Sequence, residues 1–124
     1  MAADFPATPR EAILTFHFAD RIKAQLLLAG RLLVSLTALQ GQELEGGRRL
    51  YLDFLRGLEA EINLGQTQIG DPGMVRVRTV MTGLIGMVDA GMTQDLQSHF
   101  SWMISVMATY AQRAMEFLLK EKLL

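Results

Sequence analysis

No cysteine occurs among the 124 residues, which excludes disulfides, thiolate zinc sites and cysteine nucleophiles together and is compatible with the cytosol. No charge of one sign dominates either. Twelve Lys and Arg stand against 13 Asp and Glu, and neither sign forms a long block. Without a basic stripe there is no electrostatic footprint for a phosphate backbone or an anionic membrane, so nucleic acid is not expected as a partner. Long hydrophobic runs are missing as well. The longest stretch free of formal charge, residues 96–112, contains Gln97, Ser98, His99, Ser101, Ser105 and Thr109. It is short and polar for a bilayer span, so no membrane insertion is expected. Met-Ala-Ala-Asp-Phe-Pro at the start carries an acid where a signal peptide has bases. A cytoplasmic location is therefore the expectation.

The constellations that carry chemistry are equally sparse. His17 with Asp20, and His99 with Asp95, make one histidine–carboxylate pair per helix, short of a metal-ligand set. The paired Glu-x-x-His of di-iron bundles does not occur. Glu59 and Glu61 are two apart and point in different directions on a helix, so they form no acid–base pair. Ser98, Ser101 and Ser105 lie near His99 without a G-x-S-x-G turn. Residues 65–73 are glycine-rich but lack both G-x-G-x-x-G and the lysine of a P-loop. These readings predict no enzyme, no cofactor and no metal.

Helical periodicity is what the chain has in abundance. Leu96, Phe100, Met103, Met107, Tyr110, Ala114 and Phe117 recur at alternating steps of four and three, one apolar seam along a final helix. Near the start, Thr8-Pro9-Arg10-Glu11 supplies a capping hydroxyl, a proline at the first helical position and a carboxylate three residues beyond the cap. The first helix then carries Ile13, Leu14, Phe16, Ile22, Leu26, Ala29, Leu33 and Leu36 to about Gln40. Crowding of Leu26, Leu27 and Leu28 widens its stripe and predicts burial around much of its circumference. Gly30 and Arg31 leave a kink or break there open.

Gly41 and the pair Gly46-Gly47 bracket the first turn, so a second helix is predicted to begin between Gln42 and Arg48, with Tyr51, Phe54, Leu55, Leu58 and Ile62 as its apolar set. Residues 65–73 read as a loop in which Asp71 caps and Pro72 opens a third helix bearing Val77, Val80, Met81, Leu84 and Val88. Val75, Val77, Thr79 and Val80 alternate like a strand but have no second strand to pair with. Gly91 is placed as a left-handed C-cap and Thr93 as the next N-cap. The fold class that follows is all-α, an antiparallel helical bundle. It has four helical segments if Gly30 breaks the first and three long ones if it does not, with the final helix the longest. Residues 1–7 form a flexible lead-in and 8–124 a single domain. Gly57, Gly83 and Gly86 each cost about 1 kcal/mol relative to alanine in an exposed helix. Gly83 and Gly86 share one side of the third helix, which predicts close approach of another helix within the fold, with a partner's helix as the alternative.

Half the residues are apolar and eight are Met, more apolar surface than a short bundle needs. A well-filled core is one account, and an adaptable groove for a partner is the other. Trp102 lies about 100° around the last helix from seam residue Met103, and Val106 follows one turn later. They form a second apolar edge, either a contact with another helix or an exposed groove wall or dimer face.

Thr8-Pro9-Arg10-Glu11-Ala12-Ile13-Leu14 resembles the opening of the flagellin export chaperones, whose first helix begins with Ser-Pro followed by acids and aliphatics. Val88-Asp89-Ala90-Gly91 followed by Asp95-Leu96 is similar to that family's leucine, alanine-asparagine and aspartate pattern. His17 and Phe18 stand where the family has a Tyr-Asp pair. The resemblance implies a cytoplasmic, non-enzymatic chaperone that wraps the disordered amphipathic tail of a flagellar filament subunit and prevents premature polymerisation. Candidate residues for binding a client or partner, taken from the apolar pattern, are Ile13, Phe16, Trp102 and Val106. The alternative is a structural or adaptor protein that homodimerises through the same apolar surplus.

Overall fold

Thr8 ends an extended segment and caps helix α1 (Pro9–Thr37) as its sequence predicts. The Glu11 N–H donates to Thr8 Oγ1 at 3.1 Å, while Glu11 Oε1 accepts from the Ala7 N–H at 3.1 Å. Caps of this kind contribute about 1 kcal/mol. The protein is described here from a computed structural model covering residues 5–124, and among these the chain forms four helices and no strand. After α1 come α2 (Gly41–Gln68), α3 (Gly73–Asp89) and α4 (Gln97–Lys120). Residues 1–4 of the predicted lead-in lie outside the described residues, and Pro6 of its remainder is buried.

The helices form a ring. α1 packs on α2 and α4, α2 on α3, and a sparser α3–α4 seam closes the circuit. Short connections make each neighbour antiparallel, which Arg21 with Glu61 (2.6 Å) and Arg48 with the Asp89 carbonyl (2.9 Å) tie across the α1–α2 and α2–α3 seams. Leu26, Leu33, Leu55, Met81, Phe100 and Met107 fill the centre with almost no exposure.

Helix α1 runs unbroken through Gly30, so the four-helix count arises without the break that the sequence made its condition. The reason lies in its neighbours. Tyr51 Oη donates to the Ala29 carbonyl (2.7 Å), and Gln97 Nε2 donates to the Gly30 carbonyl (2.9 Å), so α2 and α4 each grip α1 at its middle. Burial raises the pKa of Tyr51 above the ordinary tyrosine range. At 29 residues α1, not the 24-residue α4, is the longest element.

Other expectations are corrected in the same way. Gly46 and Gly47 lie inside α2 rather than in a turn, and at Gly47 a Cβ would stand 2.8 Å from Leu39 Cδ1 where the connection folds back. Residues 65–68, read as loop, continue α2. Thr93 caps nothing. α4 starts later, at Gln97, because buried Leu96 is drawn into the core first and Asp95 takes a left-handed φ of 63°. Gly91 does take the predicted left-handed conformation (φ 79°). The Met92 N–H donates to the Met87 carbonyl and the Gly91 N–H to Val88, which makes a Schellman motif.

α1 buries a single stripe rather than much of its circumference. Leu27 and Leu28 are exposed because α2 and α4 together cover only the face bearing Ala12, Thr15, Ala19, Ile22, Leu26, Ala29, Leu33 and Leu36. Nor does another helix of this fold approach Gly83 or Gly86. Nothing lies within 4 Å of a Cβ at either, since Val77, Met81, Leu84 and Val88 carry the inward stripe of α3.

Candidate functional site

Part of the apolar surface left outside the core borders two grooves on opposite sides of the ring. On α1, Leu28 and Leu32 each precede a core position by one residue, and Leu39 follows in the α1–α2 connection, three residues beyond core residue Leu36. Leu32 and Leu39, with Leu50 and Phe54 of α2, border a groove of about 260 Å³ floored by Leu36 and Tyr51. None of the residues lining it is charged. Leu50 is 73% exposed at its rim, and Gly47 keeps the end of the groove open.

Across the ring, Arg76, Thr79 and Val80 of α3 face His99 and Trp102 of α4 over a hollow of about 360 Å³. The sparse α3–α4 seam leaves it open. Farther along α4, a second hollow of about 530 Å³ is lined by Arg113, Phe117 and Lys120 together with Phe5, Pro6, Ala7 and Glu116.

Tyr110 stands between the two hollows. Its hydroxyl donates to the Asp71 carboxylate, which also accepts from the Gly73 N–H at 3.0 Å. This bond ties α4 to the start of α3, which opens at Gly73 rather than at Pro72 as predicted: Pro72 stands at the N-cap position and Asp71 lies one residue before it. Phe5 packs edge-on against the Tyr110 ring, with centroids 6.3 Å apart. Burial raises the Tyr110 pKa above its ordinary value, and the hydrogen bond and charge of Asp71 raise it further, while Arg76 and Arg113 pull it down. One guanidinium group on α3 and one on α4 thus act on the same hydroxyl. Neither they nor Lys120 takes part in an ion pair among the described residues.

The four pattern-derived candidates do not converge. Trp102, 40% exposed, lines the α3–α4 hollow, and Val106 one turn on is half-buried against the core. Ile13 and Phe16 lie near the other end of α4. Ala12 beside them clusters with Ala114 and Leu118, whereas Gly30 is the part of α1 that meets Gln97. Ile13 is exposed, and Phe16 packs half-buried between the main core and that small cluster. Sequence reasoning did not single out Leu32, Leu39 and Leu50 for the first groove, or Arg76 and Arg113 for the second. The place of Leu32 one position before core residue Leu33 was a signal for the former.

Among the described residues no group of three His, Asp or Glu side chains is gathered where it would hold a metal, and no helix is long and apolar enough to cross a membrane. No family model, curated protein or solved structure matches the chain.

Proposed function

We propose that this chain is a cytoplasmic, non-enzymatic export chaperone that receives the amphipathic tail of a flagellar filament subunit as a helix in the α1–α2 groove. The observation that carries the proposal is Leu32, Leu39, Leu50 and Phe54 bordering an open groove with no charged side chain in its lining. An amphipathic helix presents apolar anchors at i, i+3 or i+4, and i+7, and an uncharged groove between two helices receives them without stranding a charge. The disordered tail loses conformational freedom on folding there, and removal of apolar surface from water on both partners offsets that cost. Resemblance of the first-helix start and of the α3–α4 connection to the flagellin export chaperones supports the choice of client.

The test is fluorescence anisotropy with a labelled peptide from a flagellin C-terminal tail, paired with circular dichroism of the mixture. Expected are saturable binding and a gain of helix, both lost with Leu50→Glu while the bundle itself stays folded. Failure to bind any such tail, with a mass that doubles on concentration in light scattering, would overturn the reading in favour of a homodimeric adaptor.

A further inference from the structure

The α3–α4 side carries a chemistry that the α1–α2 groove lacks, and the inference drawn from it stands whether or not the client is a filament tail. Trp102, Val106, Tyr110, Arg113, Phe117 and Lys120 follow one another at steps of four and three, so they form a single stripe along α4. At about 1.5 Å per residue the stripe is roughly 27 Å long. It runs past the hollow beside Arg76 and Trp102 and the one beside Arg113 and Lys120, with half-buried Val106 and buried Tyr110 between them. Trp102, Val80, Phe117 and Phe5 supply apolar walls. Arg76, Arg113 and Lys120 supply positive charge without ion-pair partners among the described residues. The carboxylate lining either hollow belongs to Glu116, which accepts from Gln112 Nε2 at 2.9 Å, and a second, that of Asp71, lies between them on the Tyr110 hydroxyl. For a chain of formal net charge −1 this is a local excess of bases.

We infer that this trough docks an acidic amphipathic helix, its apolar residues against Trp102 and Phe117 and its carboxylates on Arg76, Arg113 and Lys120. Charge complementarity selects the occupant. An apolar wall interrupted by cations suits a segment that alternates apolar anchors with acids, and Arg113 and Lys120, seven residues apart, suit acids about two turns apart. A phosphate backbone would satisfy the cations but leave the apolar walls without partners. An apolar helix of the kind the α1–α2 groove accepts would leave the guanidinium groups unpaired.

Trp102 is the sole tryptophan and reports directly on occupancy. The probe is a Trp-free helical peptide of about 20 residues with a leucine seam flanked by glutamates, set against its lysine-for-glutamate counterpart. The glutamate peptide should shift Trp102 emission to shorter wavelength, and its affinity should fall about tenfold when salt is raised from low to high. Arg76→Glu/Arg113→Glu should weaken it by at least about tenfold and reverse the preference toward the lysine peptide. The exposed pair Arg76→Glu/Lys120→Glu provides the same test if the first variant fails to fold. Equal binding of both peptides to the wild-type chain, or unchanged affinity in the charge-reversed variants, overturns the proposal. So does tighter binding of a short DNA duplex or of phosphatidylglycerol vesicles. Leu50→Glu should leave glutamate-peptide affinity within about twofold, so the two grooves fail or succeed separately.

Discussion

The α1–α2 groove and the α4 trough lie on opposite sides of one ring of helices, yet no charged residue lines the first, while Arg76, Arg113 and Lys120 line the second. Both arise from one rule, that a helix in a four-membered ring buries a single stripe and shows its flanks to solvent. What differs is the residue standing one position off the buried stripe. On α1 it is leucine, as at Leu28 and Leu32. On α3 the position before Val77 is Arg76, and on α4 the position before Ala114 is Arg113. A nearly neutral composition thus conceals a segregation of charge that only the ring arrangement exposes, and the contrast suggests two kinds of occupant rather than one large adhesive surface.

Crossing the two chemistries should break the comparison most visibly. Leu50→Glu places a carboxylate at the rim of the uncharged groove and should lower affinity for an apolar amphipathic helix by about a hundredfold, the scale of a lost anchor plus a stranded charge. Because Leu50 is largely exposed, the melting temperature should hardly move. Arg76→Glu/Arg113→Glu should leave that binding alone. Isothermal titration of each variant against an apolar and an acidic peptide gives the four values. Equal losses in both columns would mean that the grooves are one coupled site.

The next effect concerns the Tyr110–Asp71 link at the centre of the trough, whose α1–α2 counterpart, Tyr51 on the Ala29 carbonyl, has no charged acceptor. Gly73→Ala would drive a Cβ into the Tyr110 hydroxyl, and both it and Tyr110→Phe deprive Asp71 of its hydroxyl donor, leaving the Gly73 N–H. A loss of about 2 kcal/mol is expected for each in denaturant unfolding, the scale of a hydrogen bond to a charged group. Tyr51→Phe should cost less, about 1 kcal/mol, since the Ala29 carbonyl it releases sits within an intact helix. If Tyr51→Phe proves the more damaging, the grip on the middle of α1 outweighs the α3–α4 link.

Alkaline titration sharpens the same point. Both tyrosines hold their protons beyond the ordinary range, first because they are buried. Above about pH 10 the unfolded chain releases protons that the native chain keeps, so the unfolded state binds fewer and stability falls as pH rises. The contribution is complete below pH 10 and is lost as pH climbs toward the raised native values. Tyrosinate absorbance should therefore lag behind that of the denatured chain, and Tyr110→Phe should reduce the slope of stability against pH. A slope unchanged by that variant would leave Tyr51 as the sole source.

The fold was legible where a residue's fate depends on its own helix. Leu96, Phe100, Met103, Met107, Tyr110 and Ala114 read as a seam and are buried as one, and the start at Thr8 and the stop at Gly91 were plain from local chemistry. Legibility ended where the outcome depends on a distant neighbour. Gly30 resembled a breaking point because nothing in its own segment shows that Gln97, 67 residues on, donates to its carbonyl. Leu27 and Leu28 resembled core because the angle left uncovered by α2 and α4 is not a property of α1. The trough was harder still. Trp102 was identifiable as an edge, but its association with Arg76, and that of Tyr110 with Asp71, required the α3–α4 register.

The smallest expected effect serves as a control outside both grooves. Gly57 lies on the outer side of α2 with nothing within 4 Å of a Cβ, and it lines neither groove. Alanine there removes the backbone freedom that glycine retains in the unfolded chain and should raise stability by about 0.5–1 kcal/mol with no change in either peptide affinity. Thermal unfolding and the two titrations measure both quantities. A gain in stability accompanied by a loss of binding would mean that the outer face of α2 also receives a close-packed partner. In that event the exposed helical glycines at 57, 83 and 86 would be retained for contact with that partner, and the contrast between two grooves would have to admit a third surface.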